Sequence, residues 1–128
     1  MARVLVVDDE ELVRDTVRQA LELDGHDVSE APDGASGLDA LRAETADVLV
    51  TDLIMPGKDG IETIRDVRRD FPEVKILAVS GRGGIQINAN LARADRIGAD
   101  MTLSKPFGAE EIREAVRALS VCKAKKAD

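Results

Sequence analysis

Four places in the chain carry side chains that could together handle a phosphoryl group: the pair Asp8-Asp9, then Asp52, Ser80 and Lys105. Each stands at the end of a short strand candidate. If those ends meet, three carboxylates share one site and repel one another, so the site calls for a cation. Magnesium suits it. It is a hard ion that takes oxygen ligands, keeps several waters and recruits phosphate oxygens. Lys105 would add a fixed positive charge, and the Ser80 hydroxyl could donate to an incoming phosphoryl oxygen. Asp52 would then be placed as a nucleophile, because carboxylates form acyl phosphates. Metal, ammonium and hydroxyl together would neutralise the oxygens of the transferring group.

The elements that must position these residues alternate in type. Apolar runs at Arg3–Val7, Val48–Thr51 and Val74–Val79 end at Asp8, Asp52 and Ser80. Mixed runs at His26–Glu30 and Asp100–Ser104 complete a set of five strand candidates. Between them lie stripes of helical spacing: Leu12, Val13, Val17, Ala20 and Leu21, braked by Asp24-Gly25; Ala35–Arg42, after the turn Pro32-Asp33-Gly34; Ile61, Ile64 and Val67, closed before Pro72; Ile87, Leu91, Ala94 and Ile97, stopped by Gly98; and Ile112, Val116 and Leu119. Five βα units predict an α/β three-layer sandwich with a parallel sheet. Continuously apolar strands are buried on both faces, and mixed ones sit at edges. The flavodoxin-like (βα)5 order 2-1-3-4-5 meets both demands and gathers the reactive ends on one rim, at the switch point between strands one and three.

Composition narrows the reading further. The chain has 128 residues, with 18 Lys and Arg against 25 Asp and Glu, a net charge of −7. Phe71 and Phe107 are the only aromatics. Without a basic surface or stacking rings, nucleic-acid binding is not expected. No apolar stretch reaches membrane-spanning length, and no secretory leader is visible at the N-terminus. A lone Cys122 fits a reducing, cytoplasmic setting. The expected organisation is one domain over residues 1–121 and a short basic tail over 122–128.

The chain resembles the receiver domain of two-component response regulators, of the stand-alone chemotaxis type, over nearly its whole length. The resemblance rests on Val6-Val7-Asp8-Asp9-Glu10, on Asp52-Leu53-Ile54-Met55-Pro56-Gly57 with Gly60, on Ser80-Gly81, on Gly98-Ala99-Asp100 and on Lys105-Pro106-Phe107. It implies that Asp52 accepts a phosphoryl group from a sensor histidine kinase or a histidine phosphotransfer protein. It implies magnesium bound directly by Asp9 and Asp52, with Asp8 acting mainly through water and the Ile54 carbonyl as a further ligand. Ser80, Gly81 and Lys105 would hold the phosphoryl oxygens, and the bond before Pro106 would be cis. Ile54 and Arg82 occupy the positions that tune phosphoryl lifetime. The output would be protein binding or phosphorelay, through the face formed by the fourth helix, fifth strand and last helix. The chain would be a monomer or weak dimer that turns over no metabolite.

Two features depart from the family pattern. Thr102 stands where receivers carry Tyr or Phe, so the usual switch residue is missing. The segment Gly81-Arg82-Gly83-Gly84 is longer than usual and conformationally permissive. It is not a phosphate-binding P-loop, since no Gly-Lys-Ser/Thr follows. The alternative to a phospho-acceptor is a receiver-like binding module that works without phosphate; the intact set of Asp8, Asp9, Asp52, Ser80 and Lys105 argues against it, and Thr102 keeps it open. A haloacid-dehalogenase type of hydrolase fits poorly, because Asp8-Asp9-Glu10 lacks its Asp-x-Asp spacing. Taken singly, Asp8-Asp9 reads as a helix start, Asp52 as a turn residue, Ser80 as a cap, and Lys105-Pro106 as a loop. Their joint placement favours the site. His26 reads as a surface residue on an edge strand, Cys122 as a small apolar residue, and Phe107 as packing against the last helix.

Overall fold

The computed structural model describes residues 2–53, 60–80, 98–105 and 107–127, with side chains described through residue 120. Five parallel strands form one sheet in the order β2-β1-β3-β4-β5. They are β1 (Arg3–Val7), β2 (Asp27–Ala31), β3 (Val48–Asp52), β4 (Lys75–Ser80) and β5 (Met101–Ser104). Four helices are described: α1 (Glu11–Leu23), α2 (Gly34–Ala43), α3 (Gly60–Asp70) and α4 (Ala109–Ala127). The stripe at Ile87–Ile97 lies outside the described residues. The last helix continues past residue 121, where the sequence reading ends the domain.

Burial follows the expected division of strands. Every residue of β3 and β4 is buried, whereas β2 and β5 are largely exposed or half-buried, as edges are. Alternation along β1 splits the core in two. Leu5 and Val7 join Leu38, Leu41, Ile64 and Val67 on one face, under α2 and α3. Val4 and Val6 join Val17, Leu21, Ile112 and Val116 on the other, under α1 and α4. Phe107 packs against this second cluster. The result is a three-layer sandwich whose central strands are fixed from both sides, which holds their carboxyl ends rigidly.

Local chemistry places the helices. Asp33 caps α2 by accepting from the Ser36 N–H at 2.8 Å, and that bond holds its carboxyl below the usual carboxylate range. At the end of α1, Gly25 takes a positive φ of 86° and donates to the Glu22 carbonyl. Arg68 near the end of α3 donates to the carbonyls of Pro72, Val74 and Gly98 and pairs with Asp100. This single guanidinium ties the approach to β4 and the approach to β5 onto α3.

His26 differs from its sequence reading. It belongs to the turn before β2, because its N–H still bonds to Leu21 of α1. Its side chain is only 7% exposed, and Nδ1 accepts from the Ala2 N–H at 3.0 Å. The N-terminus runs alongside and covers it, a tertiary contact that local pattern does not display.

Candidate functional site

Asp8 directly follows β1, Asp52 and Ser80 end β3 and β4, and Lys105 directly follows β5. Parallel register brings them to one rim. Val7 pairs with Thr51, Asp52 with Val79, and Ser80 with Ser104. Asp8, Asp9 and Asp52 each offer one carboxylate oxygen, and the three oxygens lie within 4.8 Å of one another. Asp8 and Asp52 are buried and Asp9 is exposed. This is an oxygen-only donor set with one open side, the chemistry that a hard cation takes.

Lys105 spans the rim. Its Nζ lies 3.1 Å from Asp8 Oδ2 and 3.3 Å from Asp52 Oδ2. Its own backbone is fixed by donation from its N–H to the Ser80 carbonyl at 2.8 Å. Burial pulls the ammonium's pKa down, but the charges of Asp52 and Asp8 outweigh it, and the net shift is upward. The ammonium therefore stays charged between two buried carboxylates.

Each acid is held differently. Asp8 has both oxygens engaged, Oδ2 by Lys105 and Oδ1 by the Glu10 N–H at 2.9 Å. Its N–H donates to Ala31 and its carbonyl accepts from Arg14. Asp52 is fixed through its backbone. Thr51 Oγ1 donates to its carbonyl, and Leu53 donates to Val79 and accepts from Gly60. A Cβ added at Gly60 would stand 2.1 Å from the Asp52 carbonyl oxygen, so α3 can begin this close only with glycine. Ser80 is fully buried, and its Oγ has no hydrogen-bond partner among the described residues. A buried hydroxyl left in that condition costs free energy unless something else bonds it.

Asp8, Asp9, Asp52, Ser80 and Lys105 thus meet at one rim. Thr102 lies half-buried on β5, opposite Ala78. Ile54, Gly81, Arg82 and Pro106 lie outside the described residues. Arg14 and Glu30, which support Asp8, went unremarked in the sequence. A basic residue in the first turn of the helix that follows an acidic strand end was the available signal.

The family described as "Response regulator receiver domain" matches residues 4–117. Response regulator MprA from Mycobacterium avium and from Mycobacterium tuberculosis is 38% identical over 117 residues, which is 91% of this chain and 50% of theirs. The chain spans about half the length of these curated relatives. Among solved structures, a CheY-like response regulator receiver domain protein from Methanospirillum hungatei is similar, with 25% identity, a TM-score of 0.90 and 98% of each chain covered. NtrX from Brucella abortus is also similar, at 29% identity and a TM-score of 0.91, over 98% of this chain and 28% of that one.

Proposed function

The chain belongs to the response regulator receiver domain family, and from that membership we propose that Asp52 is its phospho-acceptor. The observation that carries this reading is the position of Lys105, 3.3 Å from Asp52 and 3.1 Å from Asp8. The buried Ser80 hydroxyl at the same rim, without a hydrogen-bond partner among the described residues, supports it. An Asp52 carboxylate oxygen attacks the phosphorus of a phosphohistidine on a sensor kinase or phosphotransfer protein. The phosphorus–nitrogen bond breaks, the imidazole leaves with its electron pair, and an acyl phosphate forms. Lys105 and Ser80 hold the oxygens of the transferred group, and Asp52 is oriented by its fixed backbone. Asp8, Asp9 and Asp52 fit magnesium, which when bound neutralises charge on the phosphoryl oxygens. Later attack of water on phosphorus returns the carboxylate, so the chain is a signal carrier and converts no metabolite.

The protein setting is part of the same proposal. A sensor kinase or phosphotransfer protein supplies the group, and a protein partner reads the result, in the cytoplasm. Among the described residues no helix is long and apolar enough to cross a membrane. A second reading, a binding module that works without phosphate, is favoured by Thr102, whose short side chain cannot fill the space an aromatic would. One experiment separates them. The protein is incubated with magnesium and a small acyl phosphate, and its intact mass is read. A phosphoryl adduct on the wild type and none on Asp52→Asn is expected. No adduct on the wild type with any small donor supports the binding module.

A further inference from the structure

Asp9 is the exposed member of the acidic trio, and among the described residues nothing donates to its carboxylate. The backbone therefore sets only the point from which its side chain departs. The peptide joining Asp8 to Asp9 is planar, so fixing its oxygen fixes the Asp9 nitrogen and the line to its Cα. That oxygen accepts from Arg14 Nη1 at 2.6 Å. The same guanidinium donates from Nε to Glu30 Oε1 at 3.3 Å, and the other Glu30 oxygen lies 2.7 Å from Arg18 Nε. Arg14 is 16% exposed and sits between an edge strand and the peptide it holds. Its fork needs both partners, which a single ammonium would not serve in the same way.

We infer that Arg14, braced by Glu30, is a positioning residue for the cation site, fixing the Asp8–Asp9 peptide and so the point from which the Asp9 carboxylate reaches toward Asp8 and Asp52. This rests on the reading of the rim as a magnesium and phosphoryl site. Charge and position pull in opposite directions here, which makes the inference testable. A guanidinium on the Asp8 carbonyl adds positive charge near the site and repels a cation, so by charge alone its removal would tighten magnesium binding. As a positioning group, its removal loosens binding, by about tenfold or more as for other outer supports of a metal ligand.

The test is calorimetric titration of magnesium chloride into the full chain, as wild type, Arg14→Ala, Arg14→Lys and Glu30→Gln. Unfolding midpoints without magnesium are taken in parallel. Weaker binding is expected in Arg14→Ala, and weaker binding in Arg14→Lys although its charge is kept. Glu30→Gln alone should weaken binding too, and combined with Arg14→Ala in a double variant it should cost nothing further, because Glu30 acts on the cation site through Arg14. Unchanged or tighter binding in Arg14→Ala overturns the inference. If Arg14→Ala does not fold, wild-type affinity in Arg14→Lys overturns it instead. A wild type that takes up no magnesium refutes the underlying site reading, a separate failure.

Discussion

Lys105 and His26 titrate with opposite signs. The Lys105 ammonium, drawn upward by Asp52 and Asp8, holds its proton more firmly folded than unfolded. Its contribution to stability is full below the ordinary lysine value of 10.5 and is lost as pH rises through the higher folded value. Denaturant melts of wild type and Lys105→Gln should therefore differ at neutral pH and converge in strong alkali. His26 runs the other way. Burial lowers its pKa despite the attraction of Asp24, while the N-terminus and Arg117 push in the same direction as burial. The unfolded chain binds the proton better, so the wild type should lose stability as pH falls through the ordinary histidine value of 6.5. His26→Gln should lack that part of the slope. A slope identical in the variant would mean that the buried ring is not its source. Of these two residues only Lys105 was legible beforehand. A lysine at a strand end announces itself by sequence position, whereas the burial of His26 depends on where the N-terminus lies.

At the scale of elements, the close start of α3 against β3 is the feature that most directly sets Asp52. Gly60→Ala must displace either the Asp52 carbonyl or the first turn of the helix, at a cost of about 1–3 kcal/mol. Its effect on magnesium affinity should exceed that of an equally destabilising change remote from the rim, such as Leu41→Ala in the other half of the helix layer. Equal affinities in the two variants would show that the approach matters only for stability. The strands themselves were readable. Val4–Val7, Val48–Val50 and Ile76–Val79 are continuous apolar runs because both faces are covered, and Asp27–Glu30 and Met101–Ser104 are mixed because they form edges. Gly60 was visible only as part of a family motif. Its steric reason lies in the distance to Asp52, which spacing along the chain does not encode. Arg14 was hidden for the same reason, since its partners are a carbonyl just past β1 and a carboxylate on β2.

At the scale of the whole molecule, the acidic excess of the chain includes three carboxylates gathered within one small volume. A ligand that binds only the folded state stabilises it by mass action, about 2.7 kcal/mol at a hundred times its Kd. Saturating magnesium should raise the melting temperature by on the order of 10 °C for a domain of this size. A chelator should reverse the rise, and Asp9→Ala should abolish most of it. An unaltered rise in Asp9→Ala would move the cation site elsewhere. Of the three carboxylates at the rim, Asp52 alone is the proposed phospho-acceptor. Borohydride reduces an acyl phosphate to the alcohol and so converts a phosphorylated aspartate into homoserine. The phosphorylated protein, reduced, digested and read by peptide mass, should carry homoserine at position 52 and aspartate at positions 8 and 9. Homoserine at position 8 or 9, or a phosphoryl group that withstands borohydride, would contradict it.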